Sequence, residues 1–217
     1  SPSRGRRFRA STACPRPLGR RRYHGRKPVE VHIIEKHFVE KYSTFGGSKL
    51  PVLAFYAVYK ALVSEIDRYK HCRLAPLGSH TASDRTSKSS GDIQVMKKQK
   101  VFEVVEVKLD KLIDINTTRI AYEKIAKFNP ERYYILSYVG ALEKDQQEID
   151  KLIIEIKEKH GCQLIINGII CTLKYYLRLI SNPKDFFNGY IKLVENDTEL
   201  KTIHKIKLKN LIEEYGL

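Results

Sequence analysis

The stretch Gly91–Lys108, GDIQVMKKQKVFEVVEVK, decides how the rest of this chain is read. Residues 101–108, VFEVVEVK, are dense in β-branched side chains and form the best strand in the sequence. Residues 91–96, GDIQVM, are a short apolar run, and 97–100 is a polar turn. Together the two runs predict an antiparallel hairpin. Side chains alternate along a strand, so Glu106 and Lys108 share a face. The hairpin brings Asp92 beside Glu106 if residue 92 pairs with residue 106. That register needs a three-residue turn (98–100) or a bulge. A two-residue or four-residue turn without a bulge puts Asp92 on the wrong face.

The flanking sequence supplies the other elements. Residues 29–41 predict a short helix. Ser48 and Pro51 mark the start of a helix from about Leu50 to Tyr69. Its first half, LPVLAFYAVY, is apolar all round and predicts burial. Residues 78–90, GSHTASDRTSKSS, form a polar loop. A helix over 117–128 is stopped by Asn129-Pro130, and 132–139 reads as a strand. Residues 144–160 have helical periodicity closed by Gly161, and 162–167 is another strand. Helices are expected at about 169–180, 184–195 and 198–215. Strands alternating with helices predict an α/β domain with a mixed β-sheet core flanked by helices. The last helices are an addition to that core.

Charge is spread unevenly. The 217 residues carry a formal charge of +15. Residues 1–28 hold ten basic residues and no acidic one, mostly Arg among Pro and Gly. The other 189 residues hold 30 basic against 25 acidic. The arm reads as a phosphate-gripping tail, a targeting peptide, or a segment foreign to the domain. The abrupt change from Arg/Pro/Gly to Lys/Ile/Tyr/Asn favours the last, so the fold is assigned to 29–217. Cys14, Cys72, Cys162 and Cys171 form no CxxC pair, which excludes zinc-ribbon and thioredoxin-type sites. They read as reduced thiols in a cytosol-like compartment. No apolar run approaches the ~18 residues of a membrane span.

The residue types at the hairpin point to a chemistry. Charged residues are seldom buried unless paired or metal-bound. Two carboxylates a few ångströms apart repel each other and bind a hard divalent cation. The backbone carbonyl of Val107 is a natural third oxygen ligand. Mg²⁺ keeps several waters in such a site, and one of them can attack a phosphodiester. Lys108 would orient or deprotonate that water, or stabilise developing charge. The competing reading is an edge strand with a cross-strand ion pair.

This pattern resembles the PD-(D/E)xK nuclease superfamily. Gly91-Asp92 and, fourteen positions after the Asp, Glu106-Val107-Lys108 carry the resemblance. Gly91 stands where the family's name has Pro. The order helix, three strands, helix, strand is also similar, if 74–77 (LAPL) supplies the first strand. The resemblance covers about 50–167, with a helical extension over about 168–217. It implies a restriction-endonuclease-like fold and catalytic roles for Asp92, Glu106 and Lys108. Asp92, Glu106 and the Val107 carbonyl would hold Mg²⁺, with Mn²⁺ expected to substitute. Many members use a further acid from the preceding helix, for which Glu65 is the candidate. Within the superfamily the chain is most similar to bacterial type II restriction endonucleases. That implies a homodimer in the bacterial cytoplasm, without membrane contact, cutting double-stranded DNA. The alternatives are a repair or junction-resolving nuclease on the same fold and a DNA-binding module that does not cut.

Other matches are weaker. Glu155-Ile156-Lys157 and Glu199-Leu200-Lys201 repeat the ExK spacing inside helical patterns and read as solvated faces. His80, Asp84, Arg85 and Lys88 in the polar loop are candidate DNA contacts. Lys174, Tyr175, Tyr176 and Arg178 interleave basic and aromatic residues. They suit either nucleic acid or a helix with Tyr in the core. Lys201, Lys205, Lys207 and Lys209 make a Lys-rich C-terminal patch. His71-Cys72 and His160/Cys162 read as structural and not as metal ligands.

Overall fold

Five strands build one sheet in the order β1-β2-β3-β4-β5. They are β1 (Cys72–Leu74), β2 (Ile93–Lys97), β3 (Lys100–Lys108), β4 (Arg132–Ser137) and β5 (Gln163–Gly168). The first three pair antiparallel, and β3, β4 and β5 pair parallel. The computed structural model describes residues 29–39, 46–78 and 90–217. The basic arm 1–28 and most of the polar loop, with His80, Asp84, Arg85 and Lys88, lie outside the described residues.

Seven helices accompany the sheet among the described residues. They are α1 (Val29–Val39), α2 (Lys49–Glu65), α3 (Ile115–Phe128), α4 (Gln146–His160), α5 (Ile169–Leu177), α6 (Pro183–Asn196) and α7 (Thr202–Glu214). The larger core lies on one face of the sheet. It joins α1, α2, α5, α6 and α7 to Ile93, Val95, Val105 and Val107. The smaller core lies on the other face. It packs Ala121 and Ile125 of α3 and Ile156 of α4 against Val104, Tyr133, Ile135 and Leu164. The chain is thus α/β, with a mixed sheet covered on both faces. Among the described residues no helix is long and apolar enough to cross a membrane.

Local sequence explains most element ends. LPVLAFYAVY is buried at all but one position, as its uniform apolarity predicts. Ser48, expected to cap α2, is itself in helical conformation and makes no side-chain cap bond. Asp114 caps α3 instead, accepting from the Thr117 amide at 2.7 Å and the Thr117 hydroxyl at 2.6 Å. The helix therefore begins two residues earlier than expected. Asn129 closes it in the left-handed region before Pro130 (φ 46°), and Gly161 does the same for α4 (φ 67°). The first strand is Cys72–Leu74 and not 74–77. Pro76 has no N–H to give a ladder, so pairing ends with the Ala75 amide on the Gln94 carbonyl. Cys72 and Cys162 are free thiols but Cys171 is disulfide-bonded, which corrects the expectation of four reduced cysteines.

The hairpin contains both a two-residue turn and a bulge. Lys97 pairs with Lys100, leaving Lys98-Gln99 as the turn. Val95 pairs with Glu103 but Met96 with Val101, so Phe102 is the extra residue. Phe102 joins the larger core, on the face to which Glu103 also turns. Beyond the bulge the alternation resumes: Val105 and Val107 face α2, and Val104 faces α3. Ile93 pairs with Val105 at the end of the ladder, and Asp92 follows just beyond it with its carboxylate on the Val107 amide. Of the two conditions that the register allowed, the bulge is the one that is met.

Glu103 is fully buried beneath α2. Its Oε1 accepts from the hydroxyls of Tyr59 at 2.6 Å and Tyr69 at 2.9 Å, and Arg68 lies 3.4 Å from Oε2. These bonds offset the cost of removing a carboxylate from water. Tyr59→Phe should keep the packing and lose the shortest of them. We expect urea unfolding to show a loss of about 1–3 kcal/mol; an unchanged midpoint would mean that Glu103 is carried by Tyr69 and Arg68 alone.

Candidate active site

Asp92 stands at the entry to β2, where the chain arrives from Ser90 and Gly91. Its Oδ2 accepts from the Val107 amide at 2.8 Å. A strand residue's N–H and C=O point to the same side. The Val107 carbonyl therefore also faces the edge of β3 that β2 has left unpaired.

Glu106 is 5% exposed and engages both of its oxygens. Oε1 accepts from Lys108 Nζ at 2.9 Å, and Oε2 accepts from Lys124 Nζ at 3.0 Å. The Tyr133 hydroxyl lies 3.0 Å from Oε2 and 3.0 Å from the Ser90 carbonyl, with one proton to share between them. Ser90 is fully buried, and its own hydroxyl makes no hydrogen bond. A small cavity of about 30 Å³ opens beside the carboxylate, walled by Glu106, Lys108, Lys111, Thr117, Lys124 and Tyr133. That is room for about two waters.

Gly91 is required by close packing. A Cβ there would lie 2.5 Å from Val104 Cγ1 and 3.2 Å from the Val105 carbonyl oxygen. Proline, which also carries a Cβ, would meet the same obstruction. Glycine at position 91 thus has a steric reason.

The electrostatics follow from burial. Desolvation raises the Asp92 carboxyl, and the neighbouring Glu106 charge raises it further, up to about 7. The Val107 amide, Lys108 and Lys124 oppose the rise. Asp92 and Glu106 thus face Lys108 and Lys124, two carboxyl groups against two ammonium groups.

The donor set fits a hard divalent cation. Two carboxylates and a backbone carbonyl are oxygen ligands, and the cavity has room for water. Among the described residues no group of three or more His, Cys, Asp or Glu could hold a metal. A cage made of side chains alone is thus not what this site offers. Mg²⁺ is suited to such a site, because it binds through one or two carboxylates and keeps several of its waters.

The structure brings Asp92, Glu106 and Lys108 together, but Glu65 is engaged elsewhere. Glu65 ends α2, on the other side of the sheet, where its Oε2 accepts from the Ser181 amide at 2.6 Å. Its place on the far face of the sheet, bound to the Ser181 amide, is the reason that it does not join the carboxylate pair. Lys174 pairs with Glu35 of α1 at 3.4 Å, and Arg178 is exposed at the end of α5. Neither joins the site. Tyr176 is buried in the core while Tyr175 is exposed, so α5 follows the reading of an amphipathic helix with Tyr inside. In the Lys-rich patch, Lys205 is committed to the carbonyls of Glu195 and Asp197, both at 2.7 Å.

Lys124 and Tyr133 belong to the site and were not singled out from sequence. A signal for Lys124 did exist. It lies three residues after Ala121 and one before Ile125, both buried, and so sits at the margin of the buried face of α3. Tyr133 carried no such signal, because a tyrosine in an apolar strand usually belongs to the core. In sequence the chain matches no protein-family model and no curated protein.

Two outcomes are expected. Gly91→Ala should push the Asp92 backbone away from Val104, weakening the Val107–Asp92 bond. Slowed amide exchange at Val107 would then become fast, which hydrogen–deuterium exchange can read. The raised Asp92 carboxyl also makes stability depend on pH. The folded state holds this proton more tightly than the unfolded chain, so the stability that it contributes is full below about 4 and declines as pH rises to about 7. Asp92→Asn should remove that decline. Melting temperatures of the two proteins across pH 4–8 should therefore diverge with rising pH, the variant becoming relatively more stable.

Proposed function

We propose that this chain is a Mg²⁺-dependent endonuclease that hydrolyses phosphodiester bonds of double-stranded DNA, of the restriction type. The observation that carries the reading is the convergence of Asp92, Glu106 and Lys108 at one end of the β2–β3 hairpin, with the Val107 carbonyl toward the same open edge. A close pair of carboxylates, one buried and one half-buried, that raises one member to about 7 costs stability, which a purely structural ion pair would not need. The order helix, three antiparallel strands, helix and parallel strand also accords with the resemblance. Residues 29–217 hold 30 basic against 25 acidic residues, a modest basic surplus that suits a polyanionic substrate.

Asp92, Glu106 and the Val107 carbonyl would hold the cation. When bound, Mg²⁺ supplies a Lewis acid for the phosphate and lowers the pKa of a coordinated water. The chain's own groups do the remaining work. Lys108 stands at the mouth of the cavity, half-buried, with its ammonium 2.9 Å from Glu106. From there it can align a water for in-line attack and stabilise the negative charge that accumulates on the phosphate oxygens. Tyr133, on the same face of the sheet, steadies Glu106 with a neutral donor. The Asp92 carboxylate is held in place by the Val107 amide, so its position does not depend on a mobile side chain.

The test is incubation with mixed plasmid and phage DNA, with Mg²⁺ and with EDTA. Asp92→Ala, Glu106→Gln and Lys108→Ala are each expected to lower cleavage at least about a hundredfold. Discrete fragments that require Mg²⁺ support the restriction-type reading. Cleavage without discrete bands replaces it with a repair or junction-resolving nuclease, and DNA retention without cleavage with a binding module.

A further inference from the structure

Glu106 has two inequivalent oxygens. Oε1 is held by Lys108, from the same strand. Oε2 is held by Lys124, from α3, together with the neutral Tyr133. Oε2 also lies 3.5 Å from the point where a Cβ of Gly91, the residue before Asp92, would stand. A cation that bound Glu106 through Oε2 would displace Lys124 from it.

An ammonium and a divalent cation do not share one carboxylate oxygen at contact distance without strong repulsion. Lys124 has somewhere else to go. It reaches Glu106 on a long, flexible stem and lines the same cavity as exposed Lys111 and buried Thr117. Tyr133 carries no charge and can stay on Oε2 after the lysine leaves.

We propose that Lys124 is an exchangeable counterion: it neutralises Glu106 until a divalent cation binds, then yields Oε2 and presents its ammonium to a substrate phosphate in the adjoining cavity. The inference rests on the nuclease reading above and deepens it. Cation binding and phosphate binding become coupled through one side chain, because the lysine is available to phosphate only once the cation has replaced it. Lys124 is thus a positioning residue in the cation-free protein and a substrate-binding residue in the loaded one. It also explains why a lysine lies on the buried side of α3.

The experiment is a calorimetric titration of the full chain with Mg²⁺ at pH 8.5, comparing wild type with Lys124→Met and Lys124→Gln. Removal of the competing charge should make both variants bind Mg²⁺ about tenfold more tightly, the scale of one charge-assisted hydrogen bond. The same variants should cut DNA more slowly at saturating Mg²⁺, because the phosphate has lost a partner. Circular dichroism identifies which variants fold, and either one suffices. Unchanged or weaker Mg²⁺ binding in a folded variant overturns the inference, as does undiminished cleavage. If wild type binds Mg²⁺ and cuts DNA while the variants match it, only the role of Lys124 falls. If wild type neither binds Mg²⁺ nor cuts, the nuclease reading falls and this inference with it.

Discussion

A single unpaired residue in β3 determines which face each acid of that strand occupies. Phe102 is inserted between the pairs Val95–Glu103 and Met96–Val101. Without it, a two-residue turn at Lys98-Gln99 would set residue 92 opposite residue 105, among the apolar side chains beneath α2. With it, the ladder ends on the pair Ile93–Val105, and Asp92 comes to the edge of β3 beside Glu106. Phe102 is itself held by the larger core, packing edge-on against Tyr69 with Arg68 over its ring. The geometry of the carboxylate pair thus depends on apolar packing near the opposite end of the hairpin.

The bulge also leaves β3 with two buried glutamates, and they are accommodated differently. Glu103 is surrounded by phenolic hydroxyls and one guanidinium under α2. The two phenols come from rigid, buried rings, and the group joins α2 and the segment after it to the sheet. Glu106 is met by two lysines and one tyrosine, and a cavity adjoins it. Lysines are flexible and can be replaced by another cation at modest cost. One glutamate is therefore suited to holding the fold and the other to exchanging partners. Asp92 adds a second negative charge beside Glu106 only, which is why the electrostatic strain is concentrated there.

Elements far from the carboxylates hold this arrangement in position. Asp114 caps α3 and sets where its first turn begins, and so where Lys124 falls along the sheet. The parallel register Glu106–Ile135 and Val104–Tyr133 brings the Tyr133 hydroxyl under Glu106. On the other face, the buried His37 spans α1, α6 and α7, with Nδ1 2.8 Å from the Tyr190 hydroxyl and Nε2 2.9 Å from the His204 carbonyl. The C-terminal helices therefore complete the larger core over the sheet.

Composition and periodicity alone determined the class of the fold, its alternation of strands and helices, and the candidates Asp92, Glu106 and Lys108. These are local properties: β-branched density, a two-residue alternation, a Gly or Pro at an element's end. The same local information limited the register to two possibilities, of which the bulge is one. Tertiary structure decided the rest. Asp114 is the exception, since its cap bonds are local, to the amide and hydroxyl of Thr117 three residues on. Glu65 was misassigned because a position along α2 says nothing about the partner that the helix end meets, here the Ser181 amide. Lys124 and Tyr133 reach Glu106 from a later helix and a parallel strand, and no spacing in the sequence encodes that distance. A side chain's chemistry is written in its own residue, but the charge it faces is set by which segments the core brings together.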